Sequence, residues 1–319
     1  MVKRRDRLDR VAGSGGVGPV RGSPFRIWVL AARPKTLWAA VAPVLIGTGM
    51  AYGDGGFHLL GALAALLGAL LIQIGTNFCN DYVDFKKGAD TVQRIGPVRA
   101  TQSGWVTPRA MLRATVMVFV LVGLVGVYLV YRGGGVMLAI GVLSVLAGIG
   151  YTAGPYALAY LGLGDLFVFI FFGPVAVGGT YYIQTLQWPV EVTVAGIAPG
   201  LLSCAILVAN NLRDVEEDRV AQKRTLVVRY GERFSRGQYL CCLFTAVLVI
   251  PVVLSIGFQR PLWILFAVFS LAAARTPLKT IRAAASGTAL NPLLGQTARI
   301  LFIYSLLFTA GEIYGSIAT

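Results

Sequence analysis

The chain has 319 residues, 56% of them hydrophobic and only 13% charged, with a mean hydropathy of +0.72. A soluble domain cannot cover its surface with so few charges, so the composition excludes a soluble enzyme and requires an all-α, polytopic membrane protein. The formal net charge of +14 is explained by where the cations sit around the apolar segments and by attraction to anionic lipid, with no nucleic acid partner needed.

Residues 1–25 are basic and rich in glycine and contain no apolar run, which reads as a disordered cytoplasmic tail and not as a signal peptide. Segments long and apolar enough to span a hydrocarbon core of about 30 Å follow at 36–53, 59–79, 110–131, 135–153, 160–183, 193–212, 238–257, 261–275 and 297–317. They predict a bundle of nine transmembrane helices in one domain over 26–319; the eighth is the shortest. Charge tests the count independently. With the N-terminus inside, the inner segments hold 26 of the 28 Lys and Arg residues, and only Arg132 and Arg260 fall outside. An error of one helix would destroy that asymmetry. The expected topology in the plasma membrane is therefore N-terminus cytoplasmic and C-terminus outside. The four cysteines lie in or beside spans without CxxC spacing and read as buried thiols. His58, in a short outer loop, has no evident role.

Two polar stretches interrupt the apolar pattern at inner helix ends. The first is Asn77-Phe-Cys-Asn80-Asp81-Tyr-Val-Asp84; the second is Asn210-Asn211-Leu-Arg-Asp214-Val-Glu-Glu-Asp218. Asn77, Asp81 and Asp84 in one, and Asn210, Asp214 and Asp218 in the other, follow spacings that share a helix face. Asn77 to Asn210 and Asp81 to Asp214 are both separations of 133 residues, and Asp84 to Asp218 is 134. Each motif ends the second helix of its half, about 26–159 and 160–296, with the last helix at 297–317. Such repeats place a site at the interface between halves, so the two acidic faces are expected to meet across a central cavity.

Carboxylates at helix C-termini oppose the macrodipole by about 0.3–1 kcal/mol each, and they repel one another. A compensating cation is required. Lys86, Lys87, Arg213 and Arg219 as salt-bridge partners are one answer. Divalent metal is the other, and an all-oxygen set with room for water suits Mg²⁺, with Mn²⁺ as a substitute, better than zinc. Mg²⁺ held by one or two carboxylates completes its shell with substrate phosphate. Lys86, Lys87, Arg94 and Arg99 after the first motif, and Lys223, Arg224 and Arg229 after the second, are suited to grip a diphosphate. A diphosphate leaving an allylic carbon leaves a cation, and aromatic faces stabilise cations; Tyr151, Tyr156, Tyr160, Phe169, Phe171 and Phe172 are candidates, Tyr151 foremost. Asp165 is a candidate for binding an acceptor or handling its proton.

With these motifs the chain resembles the UbiA superfamily of intramembrane prenyltransferases. Asn80-Asp81-Tyr82-Val83-Asp84-Phe85-Lys86-Lys87-Gly88-Ala89-Asp90-Thr91, and Asp214 with Asp218, Lys223 and Thr225-Leu226-Val227-Val228-Arg229, look like the branch acting on 1,4-dihydroxy-2-naphthoate. The resemblance runs from about Arg33 to the last helix. It implies metal and diphosphate binding by Asn77, Asp81, Asp84, Asp214 and Asp218. It adds diphosphate contacts from Lys87, Arg94, Lys223 and Arg229, with Asn80, Asn211 and Lys86 beside them. The reaction implied is transfer of a polyprenyl group from a polyprenyl diphosphate to the naphthoate, with loss of CO₂. The general pattern often has an Asp four residues after Asp84. Here Gly88 stands there, and Asp90 is the displaced candidate ligand. Asp165 stands where many relatives would carry Glu. Two other readings share the features: a related enzyme acting on 4-hydroxybenzoate or homogentisate, and a cation-coupled transporter. The transporter reading requires carboxylates near the bilayer midplane, and these lie at one surface beside basic loops.

Overall fold

The computed structural model describes residues 23–88, 95–96, 99–283 and 287–318, so most of the basic tail, and Asp90 and Arg94, lie outside the described residues. Among the described residues the chain is helical throughout, and eight helical stretches are long and apolar enough to cross a bilayer. The protein is a multi-pass membrane protein.

α1 (Pro24–Ala32) and α2 (Pro34–Gly53) each open on proline, where the missing N–H is unneeded. Arg33 between them takes a left-handed backbone (φ 54°) and turns the chain. α1 is not among the predicted spans and begins inside the stretch assigned to the tail. It buries Ala31, sets the Trp28 ring edge-on to Phe78 at 5.5 Å, and leaves Phe25 exposed. α3 (Leu59–Lys87) is capped by His58, whose Nδ1 accepts from the Gly61 amide at 3.0 Å. The lone histidine has a structural role after all.

α4 (Pro108–Gly150) has 43 residues, which as a straight helix would measure about 65 Å, twice a bilayer. It does not run straight. Gly134 (φ 61°, ψ −148°) breaks it, and both legs return along α3: Phe119 of the first packs on Gly75, and Gly148 of the second on Thr76. The predicted spans 110–131 and 135–153 are these two legs, which is why nine apolar segments form eight helical stretches.

The fifth predicted span is also divided, into α5 (Leu158–Leu161), α6 (Gly164–Phe172) and α7 (Pro174–Thr185). Pro174 removes a backbone donor at the break. The bare backbone there lies against α8 (Val190–Arg213): a methyl group at Gly196 would stand 2.6 Å from Pro174 Cα. α8 is the most enclosed span and packs on α6 and α7. α9 (Val215–Val220) leads to α10 (Leu226–Phe244), which continues in wide π-type turns to Gly257 around Pro251. The shortest predicted span is α11 (Leu262–Ala274), wound as a 3-10 helix. At about 2.0 Å per residue its 13 residues reach about 26 Å, where an α-helix would reach about 20 Å. α12 (Arg275–Arg282) and α13 (Asn291–Ala318) complete the chain.

Leu63, Leu67, Val120, Leu124 and Leu146 on α3 and α4 are exposed, forming an apolar outer belt suited to lipid. Polar bonds tie the end of the bundle that carries Arg132 and Arg260. Arg260 reaches Asp54 at the end of α2 (2.6 Å) and Glu312 of α13 (2.6 Å), and the Tyr181 hydroxyl of α7 donates to Asp54 at 2.8 Å. Arg132 donates to the carbonyls of Ile183 and Gln184. The two cations outside the inner set are thus both engaged in fastening helices. Gly196→Leu is expected to destabilise the fold by about 1–3 kcal/mol or more, because neither facing backbone can move aside. A thermal melt in detergent checks it, and an unchanged Tm would contradict the close crossing.

Candidate active site

Both acidic motifs reach one cavity of about 330 Å³ at one end of the bundle. α3 and α8 end there, and α2 and α6 begin there. Asn80 and Asp84 of α3 line one side, and Asn210, Asn211, Asp214 and Asp218 of α8 and α9 line the other. The two halves therefore face each other, as the repeat predicts. The register differs, however. The lining pairs Asn80–Asp84 and Asn210–Asp214 are each four residues apart and offset by 130, not 133.

The reason is helical geometry: Asn80 and Asp84 share a stripe, whereas Asp81 is a residue further round. Asp81 is 2% exposed, and its oxygens accept from the backbone amides of Ala100 (3.0 Å) and Thr101 (3.1 Å). It holds the inner loop and does not line the cavity. Asn77 likewise turns away, donating to the Ala32 carbonyl (2.9 Å) and Thr36 Oγ1 (3.1 Å) across the α1–α2 junction. These two residues, expected in the ligand set, make these contacts in this structure and are not in the cavity lining. Asn80 takes the place expected of Asn77, bonded through its side-chain oxygen to the Thr152 hydroxyl.

Cations answer the carboxylates. Arg99 bonds Asp84 at 2.9 Å, and Arg213 grips Asp214 through two bonds of 2.6 and 2.7 Å while also reaching Asn210 at 2.7 Å. Lys223 approaches Asp218 at 3.4 Å. The salt-bridge reading is thus partly realised, yet not by Lys86, which is exposed, nor by Arg219, which pairs with Glu216 on the surface. Lys87 folds back onto the carbonyls of Thr152 (2.8 Å) and Gly154 (3.4 Å), and Arg229 onto that of Leu161 (2.6 Å). Both stand beside the cavity without lining it.

Tyr151 and Asp165 do line it. A Cβ at Gly164 would stand 3.1 Å from the Tyr151 hydroxyl, so the bare backbone at 164 admits the phenol. Asp165 Oδ1 accepts from Gln238 Nε2 at 2.7 Å. Of the six candidate aromatics, Tyr151 alone is in the described lining; Phe169 and Phe172 pack into the core, and Tyr156 is exposed. Sequence reasoning missed Arg33, Lys35 and Thr36, which line the cavity from the α1–α2 junction but read only as inner flanking residues. It also missed Gln238, and Glu217, which accepts from the Ile95 amide at 2.5 Å.

The donor set is hard oxygen throughout, with no thiolate or imidazole in the lining, and fits Mg²⁺. Among the described residues no three Asp, Glu, His or Cys groups close into a cage by themselves. Mg²⁺ usually completes its shell with water and substrate phosphate. Each carboxylate oxygen has two lone pairs, so an arginine contact does not exhaust Asp84 or Asp214 as ligands.

Residues 40–309 match the UbiA prenyltransferase family, and the chain belongs to it. It is 37% identical over 299 residues to the 1,4-dihydroxy-2-naphthoate octaprenyltransferase of Escherichia coli, covering 91% of this chain and 96% of that one. It is also 37% identical to the enzyme of that name from Mycobacterium tuberculosis, covering 92% and 99%. A solved UbiA homolog from Archaeoglobus fulgidus shares the fold at a TM-score of 0.62 and 18% identity, covering 92% of this chain and all of that one. A UbiA homolog from Archaeoglobus fulgidus has also been solved bound to GPP and Mg²⁺.

Asp81→Ala should lower the melting temperature and detach the loop that carries Arg99, while Asp84→Ala should lose metal-dependent diphosphate binding with the fold intact. Comparing Tm with Mg²⁺–diphosphate titration in the two variants checks this. A stable Asp81→Ala protein lacking only metal affinity would restore Asp81 to the ligand set.

Proposed function

We propose that the protein transfers a polyprenyl group from an all-trans polyprenyl diphosphate to 1,4-dihydroxy-2-naphthoate, with release of diphosphate and CO₂, giving demethylmenaquinol, the two-electron-reduced form of demethylmenaquinone. The observation that carries this reading is the joint cavity, where acidic motifs from both halves meet cations at one end of a membrane bundle. The acceptor rests on the names of the Escherichia coli and Mycobacterium tuberculosis relatives. The cavity is expected to open toward the cytoplasm, the side on which the inner cations accumulate.

In this reading Asp84, Asp214 and Asp218 hold Mg²⁺, with Asn80, Asn210 and Asn211 as neutral oxygen donors. Bound Mg²⁺ supplies the charge neutralisation that lets diphosphate depart. Arg99, Arg213 and Lys223 stand beside those carboxylates and bind the phosphate oxygens of the substrate. Lys87, Arg94 and Arg229 reinforce that grip from the loops, and Asp90 is a further candidate ligand. Breaking the allylic C–O bond sends its electron pair to the diphosphate. The new C–C bond forms at the naphthoate carbon that gives up its carboxylate as CO₂. Tyr151 presents a neutral ring to the allylic carbon as charge develops on it. Asp165, held by Gln238, accepts a hydrogen bond from an acceptor hydroxyl.

Asp84→Asn and Asp214→Asn should each lower kcat/KM by about 10²-fold or more, since a carboxylate that holds metal is replaced by a weaker neutral donor. EDTA should stop turnover and Mg²⁺ restore it. A radiolabelled assay in membranes with a polyprenyl diphosphate and a panel of aromatic acids tests the acceptor. Prenylation of 4-hydroxybenzoate in place of dihydroxynaphthoate would overturn the assignment.

A further inference from the structure

We propose that Tyr160 is a positioning residue whose ring gathers one lysine from each half of the molecule into a shared diphosphate grip. Lys87, from the end of α3, lies 4.7 Å from the centre of the Tyr160 ring. Lys223, from the loop after α9, lies 5.7 Å from the same centre. The two ammonium groups therefore stand no further apart than the sum of those distances, although 136 residues separate them in sequence. Each ammonium has acceptors of its own, the Thr152 and Gly154 carbonyls for Lys87 and Asp218 for Lys223, and holding the two together is further helped by something negative between them. The face of an aromatic ring supplies that through its quadrupole and adds no carboxylate to compete with phosphate for the lysines.

The backbone that carries the ring is tied to neighbouring segments. Tyr160 sits in α5, a single turn between Ala157 and Gly162. The Arg224 amide, next to Lys223, donates to the Tyr160 carbonyl at 3.1 Å, and Arg229 donates to the adjacent Leu161 carbonyl at 2.6 Å. A Cβ at Gly162 would fall within van der Waals contact of the Arg224 carbonyl, so the chain passes there without a side chain. On the other flank Lys87 is steered by the carbonyls of Thr152 and Gly154, and Thr152 lines the cavity next to Tyr151. Lys223 lines the cavity directly and touches Asp218. Tyr160 thus stands behind the rim at which both motifs end. A lysine has four rotatable bonds, and fixing two of them in advance removes an entropic cost that diphosphate binding would otherwise bear. The role differs from a ring facing a carbocation: Tyr160 acts on the leaving group, through the lysines.

This inference rests on the reading of the cavity as a diphosphate site, and the test separates the two. Titration of detergent-solubilised protein with inorganic diphosphate in the presence of Mg²⁺ reads binding without turnover. Tyr160→Leu is expected to weaken that binding about tenfold and to raise KM for the polyprenyl diphosphate by a similar factor, with KM for the aromatic acceptor unchanged. Tyr160→Phe, which keeps the ring, should restore wild-type diphosphate affinity. In a Lys87→Met/Lys223→Met background the Tyr160→Leu change should have no further effect on binding. Equal diphosphate affinity in wild type and a folded Tyr160→Leu protein overturns the proposal and leaves the diphosphate site standing. A Tyr160→Phe protein as weak as Tyr160→Leu would assign the effect to the hydroxyl and overturn it too. Wild-type protein that binds no diphosphate at all removes both the site and the role of Tyr160.

Discussion

Negative charge gathered at one end of a membrane-spanning bundle is the constraint around which the rest is arranged. Asp84, Asp165, Asp214 and Asp218 line one cavity of about 330 Å³. Placing carboxylates that close together in a poorly hydrated site is unfavourable unless positive charge stands among them. Arg99, Arg213 and Lys223 supply it from within the chain, and each is drawn from a segment immediately following or belonging to a motif. The result is a site with fixed charges of both signs. Such a site has use for a ligand set that also carries both, a divalent cation together with a diphosphate.

The helices are bent to make that arrangement possible. A bundle of straight spans would leave its polar groups on separate helix ends. Here α4 doubles back at Gly134, α6 and α7 part at Gly173–Pro174, and α1 turns into α2 at Arg33. Cavity residues lie at the α1–α2 turn, Arg33 and Lys35, and at the far ends of the legs that leave the other two breaks: Tyr151 and Thr152 just after α4, and Asp165 at the start of α6. At the opposite end of α2 and α7 the chain does the reverse. Arg260 with Asp54 and Glu312 binds those ends together, so that the bundle is fastened away from the cavity and shaped at it.

Much of the site was legible in the residues. Asp84, Asp214, Asp218, Tyr151 and Asp165 all reach the cavity, because a carboxylate or a tyrosine at the inner end of an apolar helix has few other places to go. The exchange of Asn77 and Asp81 for Asn80 is different. In a motif with polar residues at 77, 80, 81 and 84, two helical stripes are each consistent with the spacing. Which one faces inward depends on what covers the other. The amides of Ala100 and Thr101 cover Asp81, and a carbonyl at the α1–α2 turn covers Asn77. None of those partners is encoded in the motif.

Apolar run length, charge asymmetry and paired acidic motifs are properties of the chain alone, and they determined a polytopic helical protein with a site shared between two halves. Rotation of α3 about its axis, the grip of Arg213 on Asp214, and the meeting of Lys87 with Lys223 over Tyr160 were decided only by tertiary structure. The physical reason is range. Hydropathy and charge act on each segment independently, whereas the orientation of a buried side chain is set by partners from distant segments.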